Sequence, residues 1–158
     1  MTVWSCFFRQ ARSDMKIVLG ADDEGRVADA VVDELRARGH DVTVLEREQW
    51  PDVARKVAET VASGDADQGV LFCWTGTGTS MAANKVAGVR AALVWDPWIA
   101  EGARRWNDAN VLVMSLKQTT PEQAKDILDA WLAVDEPDPD EAANIDRLAQ
   151  LDRARRGA

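Results

Sequence analysis

The spacing of apolar residues along this chain switches repeatedly between two periods. "KIVLG" (16–20) is a short β-branched run that closes in the turn-like cluster "ADDEG". Residues 24–38 then place Val27, Val31 and Leu35 four apart, which predicts a helix, and Gly39 stops it. "DVTVLE" (41–46) alternates like a strand. "WPDVARKVAETVASG" sets Val53, Val57 and Val61 at helical spacing, with Pro51 near the start and Gly64 at the end. "GVLFCW" (69–74) is a continuous apolar run, as expected of a strand covered on both faces. A helix over Thr79 to Val86 follows, then "VRAALVW" as a fourth strand, a short helix over 98–106 and "NVLVMS" as a fifth strand. "TTPEQAKDILDAWLAV" opens with a capping box, Thr120 with Gln123, and carries Pro121 at the first helical position. Strands alternating with helices predict a five-stranded parallel sheet with right-handed crossovers, a doubly wound α/β fold.

Two segments fall outside that alternation. Residues 1–14 form an N-terminal extension ahead of Met15-Lys16-Ile17, which reads like a natural start; the extension is either an arm or a misassigned start. Residues 15–134 hold the α/β domain. "DEPDPDE" (135–141) carries five acids and two prolines and reads as a linker. Beyond it, Ile145, Leu148 and Leu151 make an apolar stripe on a terminal helix, expected to pack on a neighbouring subunit.

Composition narrows the class of function. At 158 residues the chain is most simply one domain, and its formal net charge of -8 speaks against nucleic acid or an acidic membrane as partner. No apolar run approaches the ~20 residues needed to span a bilayer. Two cysteines, Cys6 and Cys73, make no disulfide framework, so a reduced cytoplasmic protein is expected.

In an open parallel sheet ligands bind beyond the carboxyl ends of the strands. Three clusters fall there: Asp22-Asp23, the loop Cys73 to Ser80, and Trp95-Asp96-Pro97-Trp98. "GTGTS" (76–80) leads successive backbone N–H groups into a helix start, an anion nest that is also read simply as a tight turn. It is neither the dinucleotide fingerprint nor a phosphate loop of the Walker type. Cys73 is either a small buried hydrophobe or a thiolate base favoured by the adjacent helix terminus.

"MKIVLGADDEG", "GVLFCWTGTGTSMAANKVAGVRAAL", "WNDANVLVM" and "AKDILDAWL" together closely resemble the family of type B ribose-5-phosphate isomerases and galactose-6-phosphate isomerases. The resemblance runs from Met15 to Leu132, with an echo in "IDRL" (145–148). It implies a Rossmann-like subunit in a homodimer or tetramer, with active sites at the subunit interface. It also implies interconversion of aldose and ketose phosphates without metal or organic cofactor. On that pattern Cys73 removes the proton next to the carbonyl. The loop of Thr75, Gly76, Thr77, Gly78, Thr79 and Ser80 stabilises the enediolate, through Thr75 and the N–H groups of Gly76, Gly78 and Ser80. Asp22 matches an aspartate that helps open the sugar ring, and Asn107 an asparagine contacting substrate hydroxyls.

The departures from the pattern bear on the substrate. A phosphate-contacting histidine is Asp23 here, and a ring-opening histidine is Trp106. The glycine after the cysteine is Trp74, and a tyrosine is Trp50. Two phosphate-binding arginines and a histidine in the tail align with Asp140, Glu141 and Asn144; only Lys117 keeps a positive charge where the family has arginine. Trp95 and Trp98 are read equally well as part of the carbonyl site's surround or as core or interface packing, and the lone histidine, His40, as a helix-end cap. The expected function is an isomerase acting next to a carbonyl on a small sugar-like substrate, unphosphorylated or carrying an aromatic or apolar group. Two alternatives stay open: a catalytically inactive member serving as a binding or regulatory subunit, and a ribose-5-phosphate isomerase using Lys117 for the phosphate.

Overall fold

The computed structural model describes residues 14–157, so the expectation for the N-terminal extension lies, apart from Asp14, outside the described residues. Five strands make one parallel sheet: β1 (Lys16–Ala21), β2 (Asp41–Val44), β3 (Gln68–Cys73), β4 (Ala91–Leu93) and β5 (Val111–Ser115), in the order β2-β1-β3-β5-β4. Helices α1 (Arg26–Ala37), α2 (Trp50–Ala62), α3 (Thr77–Ala83), α4 (Pro97–Asn107) and α5 (Pro121–Leu132) connect and flank them, and α6 (Ala142–Arg156) ends the chain. The α/β expectation is met.

Each right-handed crossover selects its face by the direction in which it moves across the sheet. The leftward moves, β1 to β2 and β4 to β5, put α1 and α4 on one face, where α5 joins them. Ile17, Leu19, Phe72, Leu112 and Met114 of the strands pack there against Val31, Leu35, Ala103, Ile127 and Trp131. The rightward moves put α2 and α3 on the other face, where Val18, Leu71, Val111 and Val113 meet Ala54, Val57, Ala58 and Ala83. Strand β3 lies at the centre and is buried at all six positions, which is why "GVLFCW" reads apolar without alternation. Burying a side chain such as Phe72 contributes roughly 2–3 kcal/mol.

The element ends differ from expectation where the local signal is weak. The edge strand β4 covers only Ala91–Leu93 of the seven-residue apolar run. Helix α3 starts at Thr77, two residues early, because Gly76 takes the left-handed conformation (φ 79°) and turns the chain straight into the helix. A side chain at Gly76 would also meet Leu93 Cδ1 at 2.5 Å and the Met114 carbonyl oxygen at 3.2 Å. The capping box of Thr120 and Gln123 forms as expected. The acidic segment after α5 is less free than its composition suggests: it holds a 3-10 turn (Pro139–Glu141), and the Asp138 N–H donates to the Arg105 carbonyl at 2.7 Å.

Helix α6 has no buried residue, and Leu148 and Leu151 stay 42% and 61% exposed. Its tie to its own subunit is polar: the Gly88 N–H donates to Asp152 Oδ2 at 2.9 Å. A cleft of about 730 Å³ opens beneath it, lined by Asn84, Arg90, Ala92, Asn107, Leu148 and Leu151 among others.

Candidate active site

The sheet register assembles the site. Ala21 pairs with Phe72, and Cys73 pairs with Ser115. One residue further on, Asp22 stands beside Cys73, so Asp22, Cys73 and Ser115 form a row across β1, β3 and β5, with neighbouring backbones about 4.8 Å apart. The Asp22 N–H still reaches the Phe72 carbonyl (3.4 Å), and the Leu116 N–H donates to the Cys73 carbonyl (2.9 Å), so both loops leave the sheet in register.

Cys73 is a free, buried thiol, 5% exposed. Its Sγ lies 3.4 Å from the hydroxyl of Thr79, which is wholly buried in the first turn of α3. The hydroxyls of Thr75 and Thr77 sit 2.7 Å apart and share one hydrogen bond. One of their two protons is spent on that bond, and the other is free for an incoming oxyanion. The first three N–H groups of α3, those of Thr77, Gly78 and Thr79, have no helical carbonyl to bind. The Ser80 N–H is instead committed to the Gly76 carbonyl at 3.1 Å. Gly78 lets the Trp50 ring pack closely: a β-carbon there would stand 3.0 Å from the ring, tighter than an ordinary contact.

Two carboxylates close the β1 side and differ in character. Asp22 Oδ1 is buried without a hydrogen-bond partner. Burial pushes its carboxyl above the ordinary range, repulsion from Asp23 adds to this, and a hydrogen bond from its own backbone N–H opposes it. Asp23 is held below the ordinary range, chiefly by the Trp74 indole N–H, which donates to its Oδ2 at 2.8 Å, and then by the Glu24 N–H. The Lys117 ammonium stands 4.9 Å from the Trp74 ring centroid and contributes to the same lowering. Trp74 therefore bridges the ends of β1, β3 and β5, and Lys117 and Asp23 balance each other's charge.

Not every expected site residue joins this group. Asp22, Asp23, Trp50, Trp74, Lys117 and the loop Cys73 to Ser80 share the carboxyl edge. Trp106 and Asn107 end α4, which feeds the start of β5, and Asn107 lines the cleft with Ala91 at the start of β4. They lie at the opposite edge from Cys73, separated by the length of β3, roughly 17 Å. The tail residues Asp140, Glu141 and Asn144 follow Asp138, which is tied to Arg105 near the same end of α4. Trp106 folds back along its helix, over Gly102, to meet Trp98 edge-on at 5.7 Å. Trp95 and Trp98, 65% and 68% exposed, are not core residues. The sequence placed Thr79 in the substrate loop without a role of its own; its buried hydroxyl beside the sulfur is visible only in three dimensions. His40 is buried at the turn after α1, where burial and then the Arg38 charge lower its basicity.

A doubly wound α/β subunit with a thiol, an unpartnered carboxylate and a hydroxyl-rich helix start at its carboxyl edge has the makings of a proton-transfer enzyme. Comparison with known proteins agrees: the family model "Ribose/Galactose Isomerase" matches residues 17–150, and the chain belongs to that family. It is 34% identical to a ribose-5-P isomerase B of Listeria innocua, over 90% of this chain and 100% of that one. It is 36% identical to a D-erythrulose-4-phosphate isomerase of Pectobacterium atrosepticum, over 75% of this chain and 82% of that one. The solved structure of ribose-5-phosphate isomerase B from Clostridium thermocellum superposes with a TM-score of 0.83 at 35% identity, covering 89% of this chain and 99% of that one.

The raised Asp22 carboxyl has a measurable consequence. Where a carboxyl titrates higher in the folded than in the unfolded chain, the folded state holds the extra proton and stability falls as pH rises through that window. Asp22→Asn removes this loss. The melting temperature of Asp22→Asn relative to the parent protein should therefore rise as pH goes from about 4 toward 7. A difference that stays flat over that range contradicts the assignment.

Proposed function

We propose that this protein is a cofactor-independent isomerase that moves a proton between a carbonyl carbon and the hydroxyl-bearing carbon next to it, with Cys73 as the base. The observation that carries the reading is the row of Asp22 and Cys73 at the ends of β1 and β3, beside the Thr75–Thr77 hydroxyl pair. The thiolate takes the proton from the carbon next to the carbonyl. The electron pair moves onto the carbonyl oxygen, and the resulting enediolate is met by the free threonine proton and the first-turn N–H groups of α3. The thiol then returns the proton to the former carbonyl carbon, while the hydroxyl proton passes from the neighbouring oxygen to the former carbonyl oxygen, so the carbonyl moves one carbon along. Asp22, inclined by its burial to hold a proton, exchanges it with the substrate's ring or hydroxyl oxygen.

The substrate is a small sugar-like carbonyl compound, and the site favours one without a phosphate. A phosphate would approach Asp23 and a Lys117 whose charge is already directed at that carboxylate and the Trp74 face. The ribose-5-phosphate reading, which relies on Lys117, is the weaker one on this ground. Trp106 and Asn107 can meet a Cys73 site only from a second copy of the chain, and so can the tail acids Asp140 and Glu141. The working assembly is therefore a homodimer or a pair of dimers, with the exposed Trp98–Trp106 ridge and the α6 stripe at the interface.

Two measurements test this reading. Cys73→Ser should lose on the order of 100-fold or more in kcat with KM little changed; equal turnover returns Cys73 to a packing role. Replacing two arginine contacts by carboxylates removes roughly 10³-fold in affinity for a phosphomonoester. Ribose 5-phosphate should accordingly show trace turnover at most in steady-state assays, and robust turnover of it overturns the substrate assignment.

A further inference from the structure

We infer that Thr79 is a positioning residue for Cys73, its hydroxyl moving one hydrogen bond between the sulfur and the Gly76 carbonyl as the cysteine gains and loses its proton. This rests on the reading of Cys73 as the base.

The geometry is confined to three groups. Thr79 Oγ1 lies 3.4 Å from Cys73 Sγ and 3.3 Å from the Gly76 carbonyl oxygen. It is fully buried, so no solvent competes for its proton. A hydroxyl has one proton to donate and lone pairs to accept with, so it serves one of these neighbours as donor at a time. The Gly76 carbonyl does not depend on it, because the Ser80 N–H already donates there at 3.1 Å. Nor can that carbonyl drift away: Gly76 is fixed in the left-handed conformation, with Leu93 and the Met114 carbonyl against its open side.

Two complete arrangements follow. With Cys73 ionised, the Thr79 hydroxyl donates to the thiolate, and Ser80 alone satisfies Gly76. With Cys73 protonated, the thiol donates to Thr79 Oγ1, which in turn donates to Gly76. The proton taken from substrate rests on sulfur until it is returned and never passes to Thr79; only the donor direction of one hydroxyl changes. The sulfur therefore has a partner in both states despite its burial. Valine is nearly the same shape as threonine but has no hydroxyl, so Thr79→Val would take from the buried thiolate the side-chain donor it has in Thr79.

The test needs no substrate. The alkylation rate of Cys73 by iodoacetamide is followed against pH in the intact protein, resolved from Cys6 by peptide mass spectrometry. Thr79→Val should move the profile to higher pH, with about a tenfold lower rate at neutral pH. Thr79→Ser should restore it. Should the valine variant fail to fold, Thr79→Ala carries the same expectation. A profile unchanged in the variants lacking the hydroxyl overturns the inference, as does a shift that serine fails to reverse, since that marks packing. Undiminished turnover in Cys73→Ser is a separate outcome: it removes the catalytic reading while leaving the alkylation result to decide whether the hydroxyl serves the sulfur.

Discussion

Everything at the carboxyl edge depends on the parallel register of β1, β3 and β5. Because Ala21 faces Phe72 and Cys73 faces Ser115, an aspartate, a thiol and a hydroxyl leave the sheet side by side. The register is in turn held by burial. Every residue of β3 is covered on both faces, so a slip of one position would drive core side chains out of both layers at once. The chemistry inherits its precision from the core, and the three loops only have to leave from fixed points.

Against that rigid row the protein sets an unusual rim. Trp74 follows the thiol directly and lies across the strand ends, pinned on one side by Asp23 and covered on another by Lys117. In water such contacts are individually small, about 0.5–1 kcal/mol for an exposed cation over an indole. In the proposed function their effect is on selectivity: they put a carboxylate and an aromatic face where a strongly anionic substrate group would need free positive charge. On the same proposal the edge keeps the elements of proton transfer, and what it holds is where it would differ from a ribose-5-phosphate isomerase.

Much of this was legible in the chain itself. The switch from period two to period 3.6, the capping box at Thr120 and the uninterrupted apolar run of β3 each report a local cause, and each element formed. The edge strand β4 came out short because an apolar run on a half-buried edge does not show where pairing ends. The row of Asp22 and Cys73 followed from the rule that sites sit beyond strand ends, but their adjacency needed the register. The far-edge placement of Trp106 and Asn107 follows from the predicted helix over 98–106 feeding the fifth strand, and conflicts with reading them into one chain's Cys73 site. Thr79 was named in the loop but its contact with Cys73 was not: one hydroxyl among several in "GTGTS" turns inward to sulfur, and only the fold of α3 selects it.

The central claim is that this site moves a proton next to a carbonyl. It is tested most directly by incubating the protein in deuterated water with free aldoses and ketoses, and separately with their phosphates, and following exchange by proton NMR. The account predicts deuterium at the carbon beside the carbonyl of an unphosphorylated sugar, together with aldose–ketose conversion, and neither in Cys73→Ser. Absence of both exchange and conversion across the whole set, from folded protein that still binds one of the sugars, would contradict it and leave a binding subunit in place of an enzyme.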